Sequence, residues 1–362
     1  MTARRPRQRA VRGESRVGLR AEVEVGPVAH GGHCVARLDG RAVFVRHALP
    51  GERVVVEVTE GADGDRFWRA DAVEVLSASP DRVVPPCPYA GPDACGGCDF
   101  QHVTLARQRE LKADVVSEQL RRLAGLDLRV EVEAVPGDDD GLHWRTRQRY
   151  VGLVGGGRGM RKHRSHDVVP VNECLLEAPP AIHEVRGRAF EVAPGGFWQV
   201  HPGAPQALVD AVMTGLDPQP GERVLDLYAG VGLFAAFLQA AVAPGRVVAV
   251  EGDATASRLS RRNCPGVVAT AGDVAKVLVE RHDEPFDLVV LDPPREGAKR
   301  RVVEQVVDRR PRAVAYVACD PAALARDVAL FAESGYALVS LRAFDLFPMT
   351  HHVECVAILT SR

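Results

Sequence analysis

The sequence lacks any long apolar run. No stretch of about 18 uninterrupted apolar residues occurs in the 362 residues, which excludes a typical membrane-spanning helix. The first residues also lack the apolar core of a secretory signal peptide. A net charge of −2 gives no overall excess of basic residues, so a nucleic-acid partner has to be inferred from local patches. We expect a globular, cytoplasmic protein with no membrane contact and no obligate protein partner.

Hydrophobic residues make up 46% of the chain, enough for two or three domains. Residues 1–16 carry six arginines and are expected to form a disordered basic tail. Residues 17–79 contain short Val-rich segments separated by Gly, Asp and Pro, which predict a small OB-like antiparallel β-barrel. Residues 80–190 form a central region that begins rich in Pro, Gly and Cys, and residues 191–362 form the last domain.

The last domain alternates helical stretches with short, continuous apolar strands from about residue 206. This pattern predicts an α/β fold with a Rossmann-like, doubly wound parallel sheet. Ligands of such sheets bind at the carboxyl ends of the strands. Asp292 and Cys319 both follow apolar strands, so both are expected to take part in chemistry.

A glycine loop follows the first of these strands. "DLYAGVGLFA" places Gly230 and Gly232 at a strand-to-helix turn, and Glu251 ends the next strand, where it can accept ribose hydroxyls. The loop also matches the loose dinucleotide fingerprint, so an iron-sulfur oxidoreductase that uses a dinucleotide stays an alternative. Asp226, an acidic group suited to a cationic cofactor, and the "LDPPREG" turn favour S-adenosylmethionine.

A basic patch occupies residues 143–167, with seven Lys or Arg against one Asp. Trp144 and Tyr150 are interleaved with these cations, a composition suited to RNA phosphates and stacked bases. A merely solvated basic face is the alternative. The expected RNA contacts are Arg145, Arg147, Arg149, Arg161 and Lys162.

Four cysteines have the spacing of a metal site. Cys87, Cys95 and Cys98 are close in sequence, and Cys174 follows the basic patch. Four thiolates suit an iron-sulfur cluster or a zinc ion equally well, whereas disulfides are not expected in the cytosol.

Together, several motifs resemble those of the uracil-5 RNA methyltransferases that modify tRNA and ribosomal RNA. The resemblance extends from about residue 17 to the end and includes an N-terminal TRAM barrel. The motifs that carry it are "CGGC", "SHDVVPVNEC", "FWQVHPGA", "DLYAGVG", "LDPPREG", "YVACDPAALARD" and "HHVECVAIL".

The resemblance implies methyl transfer from S-adenosylmethionine to uracil C5 in tRNA or 23S rRNA, with Cys319 as nucleophile and Glu354 as general base. A thiolate is needed because uracil C5 is a poor nucleophile until C6 carries an adduct. The resemblance also implies a 4Fe-4S cluster on the four cysteines. The implied cofactor-binding residues are Gln199, Tyr228, Gly230, Gly232, Glu251, Asp273 and Asp292.

Three residues depart from the family pattern. Asp320 stands where the family usually has Asn, Ala229 where it often has Cys, and Leu233 where it often has Asn. The Leu233 change puts one cofactor hydrogen bond in doubt, and Asp320 alters the charge beside Cys319. A catalytically silent RNA-binding protein is a further alternative, against which the presence of both Cys319 and Glu354 argues.

Overall fold

The computed structural model describes residues 13–362, so the expected basic tail lies largely outside the described residues. The chain divides into two compact units. Among the described residues, the first contains 13–107, Tyr150–Asn172 and Met349–His351. The second contains Gln108–Arg149, Glu173–Pro348 and His352–Arg362. The domain boundaries inferred from the sequence stay predictions.

Strands and helices are each numbered in chain order. The strands are β1 (Arg20–Val28), β2 (Cys34–Leu38), β3 (Arg41–Arg46), β4 (Arg53–Glu60), β5 (Phe67–Ser77), β6 (Val132–Glu133), β7 (Val151–Gly152), β8 (Arg158–Arg161), β9 (Val168–Pro170), β10 (Glu184–Val185), β11 (Arg188–Ala189), β12 (Arg223–Leu227), β13 (Arg246–Glu251), β14 (Val268–Ala271), β15 (Leu288–Leu291), β16 (Ala313–Ala318), β17 (Tyr336–Phe344) and β18 (Glu354–Ser361). The helices are α1 (Leu105–Gln119), continued by a π-helical turn (Leu120–Ala124), then α2 (Ala204–Leu216), α3 (Leu233–Val242), α4 (Ala254–Asn263), α5 (Val274–Arg281), α6 (Lys299–Asp308) and α7 (Pro321–Glu333).

The first unit is built on a closed barrel of strand order β1-β2-β3-β5-β4. Val54, Val56 and Val58 of β4 are buried, and the residues between them are more exposed, because successive side chains of a strand point to opposite faces. Closure pairs both edges of the sheet, which leaves no edge open to another chain. The expected barrel is confirmed, but it is not wholly antiparallel, because β3 and β5 pair in parallel. The same unit also contains a three-stranded sheet of order β7-β8-β9.

The second unit is built on a sheet of order β14-β13-β12-β15-β16-β18-β17-β6. Strands β12 to β16 are parallel, as the apolar runs between helices predict. The sheet departs from the expected parallel arrangement at one place, because β18 is antiparallel to both β16 and β17. The connection between β17 and β18 contains no helix, and a parallel return needs a longer crossover.

Helices cover both faces of this sheet. In β12, Val224 packs into one core with α2 and α3, and the next residue, Leu225, packs into the other with α5, α6 and α7. Burial on both faces is what makes these strands continuously apolar in sequence. No helix of residues 13–362 is long and apolar enough to cross a membrane.

A buried ion pair ties α1 to the segment that follows β17. Lys112 Nζ lies 2.5 Å from Asp345 Oδ1 and also donates a hydrogen bond of 3.0 Å to the Phe347 carbonyl. The two charged side chains are 0% and 2% exposed. Since water cannot replace a lost partner at such a place, each charge depends on the other.

Lys112→Met should therefore destabilise the second unit by about 3 kcal/mol, because Asp345 would remain buried without its cation. Urea unfolding followed by circular dichroism measures this. The exposed pair Arg300–Glu333 supplies the control, since Arg300→Met should cost about 0.5 kcal/mol or less. The double variant Lys112→Met, Asp345→Leu should be more stable than Lys112→Met, and equal instability of the two would contradict this account.

Candidate active site

The carboxyl ends of the parallel strands β12 to β16 meet at one edge of the sheet. The parallel register sets Leu227 beside both Val250 and Leu291, and Leu291 beside Tyr316. The residues that follow these strands therefore lie together along this edge. They include Tyr228 after β12, Glu251 at the end of β13, Asp273 after β14, Asp292 after β15 and Cys319 after β16.

The glycine loop is held by Glu251. Its two carboxylate oxygens accept hydrogen bonds from the backbone N–H groups of Gly230, at 2.8 Å, and Asp253, at 2.7 Å. Gly232 has a φ of +92°, and a Cβ there would lie 2.7 Å from Cys264 Sγ. Only glycine fits this turn without displacing a neighbour. Glu251 thus fixes the loop in addition to any contact with a ligand.

Asp226 and Asp292 are two acidic residues whose pKa values are raised. Asp226 is fully buried, and burial raises its pKa to about 8. One of its oxygens accepts the Ala235 N–H at 2.9 Å, and the other has no hydrogen-bond partner within the described residues. Burial and the nearby Glu251 raise the pKa of Asp292 to about 7. A cation among these carboxyl groups would stabilise their charged forms, so the residues present fit the cationic sulfonium of S-adenosylmethionine.

Two other expected cofactor residues differ in placement. Asp273 is exposed and caps α5 by accepting the Lys276 N–H at 3.1 Å. Its charge contributes to a raised pKa of Tyr228, after the larger effect of burial, which places the two residues near each other. Gln199 is half-buried in the segment that leads to α2. It does not follow a strand of the sheet edge.

Cys319 lies close to Glu354, where β16 and β18 meet. Ala318 of β16 is opposite Cys355 of β18, and Cys319 and Glu354 are the residues next to this pair in the chain. The Glu354 side chain is buried, and burial together with Asp292 raises its pKa well above the usual value. Burial and then Glu354 raise the pKa of Cys319 to about 12. The structure therefore brings the expected nucleophile and the expected base together.

Arg295 is a part of this site that the sequence analysis missed. It follows Asp292 in the "DPPR" loop, and its positive charge opposes the raised pKa values of both Cys319 and Glu354. Its Nη2 lies 3.3 Å from His352 Nε2. The arginine in "LDPPREG" was the available signal, but only the fold places it beside the thiol.

Asp320 has a structural role as well as a charge. Its side chain caps α7 by accepting the Ala323 N–H at 2.8 Å. Its negative charge also contributes to the raised pKa of Cys319, as a smaller effect than burial and Glu354. An Asn, the residue expected here from the resemblance, would serve as a cap without the charge.

The expected RNA contacts are divided between the two units. Arg145, Arg147 and Arg149 belong to the second unit, and Arg161 and Lys162 to the first. Lys162 Nζ lies 2.6 Å from Asp93 Oδ1, so its charge is already compensated. Arg161 Nη1 lies 2.9 Å from His166 Nδ1.

Aromatic residues near these cations differ in exposure. Trp144 is only 2% exposed and packs against His201 and Phe347, so the expectation that it stacks on RNA bases is wrong. Phe197, which the sequence analysis missed, is 62% exposed. The Arg147 guanidinium lies 6.0 Å from the centre of its ring. Phe197, rather than Trp144, is available to a base.

The four cysteines do not support the expected metal site. Cys87, Cys95 and Cys98 belong to the first unit and Cys174 to the second. Within residues 13–362, no three His, Cys, Asp or Glu side chains are grouped so as to hold a metal ion. The sulfurs instead accept local hydrogen bonds. Gly97 N–H donates to Cys95 at 3.4 Å, Gln101 Nε2 to Cys98 at 3.4 Å, and Gln148 Nε2 to Cys174 at 2.9 Å.

Three family models match parts of the chain. A TRAM domain matches residues 14–73, a methyltransferase small domain matches residues 206–317, and a tRNA (uracil-5-)-methyltransferase model matches residues 276–362. The first model covers most of the barrel, and the other two cover strands β12 to β18 of the sheet.

Whole proteins also resemble this chain over most of its length. An uncharacterized RNA methyltransferase of Streptomyces avermitilis is 45% identical and covers 95% of this chain and 98% of its own. A 23S rRNA (uracil(1939)-C(5))-methyltransferase, RlmD, of Shewanella amazonensis is 30% identical, covering 91% and 93%. The crystal structure of the Pyrococcus abyssi tRNA (uracil-54, C5)-methyltransferase with S-adenosyl-L-homocysteine has a TM-score of 0.66, 22% identity, and coverage of 93% and 99%. The last likeness shows the shared fold.

Asp320→Asn should lower the pKa of Cys319, because it removes a nearby negative charge and keeps the acceptor that caps α7. The rate of Cys319 alkylation by iodoacetamide, followed by peptide mass spectrometry, should therefore rise at lower pH than in the unmodified protein. Asp253→Asn is a matched control, since Asp253 caps α4 in the same way. A profile that stays in place, or moves to higher pH, would show that Asp320 does not act on the thiol.

Proposed function

Since the chain belongs to the S-adenosylmethionine-dependent uracil-C5 RNA methyltransferases, we propose that it methylates a uridine of 23S rRNA through a covalent adduct with Cys319. The observation that carries the covalent step is the position of Cys319 close to Glu354, next to the paired residues Ala318 and Cys355. The charges of Asp292 and Arg295 both shift the pKa values of Cys319 and Glu354. A thiol, a carboxyl group and a cation are thus gathered at the edge where a doubly wound sheet binds its ligands.

The proposed reaction has three steps on the base. The Cys319 thiolate forms a bond to uracil C6, and the electron pair of the C5–C6 double bond moves to give an enolate. S-adenosylmethionine supplies a methyl group on a cationic sulfonium, and C5 takes this methyl as the bond from sulfur breaks. Glu354 then accepts the C5 proton, and the C6–S bond breaks to restore the double bond and the free thiolate.

Without a bound methyl donor, the raised pKa values of Cys319 and Glu354 favour their protonated forms, whereas the steps above need a thiolate and a carboxylate. Cys319 has a pKa of about 12, and the pKa of Glu354 is raised well above its usual value. Asp292 contributes to both shifts. A cation held beside Asp292 lowers the pKa of both groups by the same electrostatic argument. A bound methyl donor therefore favours the thiolate of Cys319 and the carboxylate of Glu354, and once the methyl group has left, the sulfur is neutral and the pKa of Glu354 rises again, which favours its uptake of the C5 proton.

Phe197 and its neighbours are proposed to contact the RNA. An exposed aromatic ring beside a guanidinium is suited to an unpaired base and its phosphate. Arg147 lies beside this ring, and Arg149 is exposed in the same unit. Arg145, Arg161 and the barrel remain further candidates for RNA contacts, whereas the pairing of Lys162 with Asp93 weakens its case.

The large ribosomal RNA is the preferred substrate. Named relatives that are 29–30% identical over 91% of this chain are 23S rRNA uracil-C5 methyltransferases. A cytoplasmic location, as expected from the sequence, is proposed together with this substrate.

No step of the proposed reaction transfers an electron. The reaction therefore does not require the 4Fe-4S cluster that the resemblance implies.

Glu354→Gln should trap RNA on the enzyme. Glutamine cannot accept the C5 proton, so addition and methylation proceed while elimination slows by about a hundredfold or more. A denaturing gel of this variant with S-adenosylmethionine and target RNA should show a slowly migrating covalent species. The band should be absent from the double variant with Cys319→Ala.

Cys319→Ala alone supplies the complementary measurement. It should abolish formation of 5-methyluridine and leave cofactor affinity, measured by calorimetry, unchanged, because the role of the thiol is covalent. Methyl transfer by Cys319→Ala would refute the mechanism. Survival of the covalent band in the double variant would mean that another residue is the nucleophile. Absence of both transfer and adduct in the unmodified enzyme would favour the catalytically silent alternative.

The choice of RNA is tested by mapping 5-methyluridine in a strain that lacks the gene. We expect one uridine of 23S rRNA to lose its methyl group and tRNA to keep its own. The purified enzyme should restore the modification on 23S rRNA from the deletion strain. Loss confined to tRNA would leave the chemistry intact and overturn the choice of substrate.

A further inference from the structure

The loop that carries Asp292 and Arg295 has an unusual anchor. It joins β15 to α6, and the residue before α6 is Ala298, whose side chain cannot cap the helix. The first N–H groups of a helix need acceptors from elsewhere when they are buried. Ala298 is only 4% exposed, so an acceptor has to come from another element.

That acceptor is Asp327 of α7. Its Oδ2 accepts the N–H of Ala298 at 2.7 Å and the N–H of Lys299 at 3.2 Å. The same oxygen accepts the hydroxyl of Tyr316 at 2.5 Å. Asp327 is 3% exposed and Tyr316 is fully buried. One carboxylate oxygen thus caps a helix to which it does not belong, and a tyrosine of the sheet holds it in position.

The loop is fitted closely against this carboxylate. Gly297 has a φ of +83°, and a Cβ there would lie 2.6 Å from Asp327 Oδ2. Its N–H donates to the Pro294 carbonyl at 2.8 Å, which closes the turn immediately after the two prolines. The path from Asp292 to α6 is therefore fixed at its far end by Asp327.

The anchor and the thiol belong to one strand–helix pair. Tyr316 lies in β16, which ends beside Cys319, and Asp327 lies in α7, which begins just after Cys319. Any shift of this pair moves the thiol and the anchor of the loop together. The distance between Arg295 and Cys319 is therefore set by hydrogen bonds made on the far side of the loop.

We propose that Asp327 and Tyr316 are positioning residues that hold Arg295 beside Cys319 by anchoring the loop between them. The inference rests on the proposed function only in that it takes Cys319 as the reacting thiol. The competing view is that the network merely stabilises the fold. The two views differ in one measurable respect, which is whether the network acts on the reactivity of Cys319 through Arg295.

A double-mutant cycle on Cys319 reactivity separates these views. The rate of iodoacetamide alkylation is measured at about pH 8 without RNA or cofactor, and Cys319 is followed by its own peptide. The charged groups that face the thiol are Glu354 from β18, Asp292 and Arg295 from the loop, and Asp320 at the start of α7. Only Arg295 favours the thiolate, so Arg295→Met should lower the rate by up to about tenfold.

Tyr316→Phe should lower the same rate by roughly threefold, because Asp327 loses the hydroxyl that orients it and the Ala298 N–H loses the same hydroxyl as an acceptor at 3.0 Å. Combined with Arg295→Met, it should cause no further loss, since it acts through the arginine. Tyr336→Phe is the matched control. That tyrosine is also buried and donates to the Pro311 carbonyl at 2.7 Å, but it lies at the start of β17, away from the site edge. Its removal should lower thermal stability and leave the alkylation rate unchanged.

Losses that multiply in the double variant would overturn the proposal, as would an unchanged rate in Tyr316→Phe. If Tyr316→Phe does not fold, Asp327→Asn serves in its place, because asparagine keeps one acceptor oxygen for Ala298 and loses the charge. It should give the same non-additive loss. Alkylation needs neither RNA nor methyl donor, so this result stands apart from the proposed function. If these variants behave as expected but Cys319→Ala still makes 5-methyluridine, the proposed reaction mechanism is refuted, whereas the positioning role of Asp327 and Tyr316 is retained.

Discussion

The antiparallel insertion of β18 between β16 and β17 is the constraint on which the candidate site depends. A purely parallel sheet would end with Cys319 and offer no residue across from it. Because β18 runs the other way, its second residue, Cys355, pairs with Ala318 at the end of β16, and this brings Glu354 close to Cys319, whose pKa its charge raises. The position of this pair is therefore a matter of backbone register. A shift of one residue would turn the Glu354 side chain to the other face of the sheet.

The same insertion explains why a carboxyl group can be buried here. Glu354 begins a strand with neighbours on both sides, pairing with Phe344 of β17, and it is only 4% exposed. Burial keeps its charge unfavourable until a cation is near. The segment that leads to Glu354 is held by the Lys112–Asp345 pair. This ion pair, which joins α1 to the chain after β17, therefore helps to fix the position of the buried Glu354.

Local patterns predicted much of this arrangement. The glycine turn after β12 and the strand ends before Asp292 and Cys319 are properties of short segments, and the structure places them at one edge as the sequence indicates. Arg295 and Asp327 were beyond such reasoning, because their roles come from the approach of segments that are far apart in the chain.

Trp144 is a residue for which the local pattern gave the wrong expectation. Its basic neighbours suggested a surface, but the ring packs into a core with His201 and Phe347.

The raised pKa of Cys319 also has a consequence for the resting protein. Peroxides and other oxidants attack thiolates, and cysteines that act as redox sensors have low pKa values. With a pKa of about 12, Cys319 is almost wholly a thiol at neutral pH. The resting enzyme therefore keeps its partly exposed sulfur in a form that resists oxidation, and the burial and the nearby carboxyl groups that disfavour its ionisation protect it between turnovers.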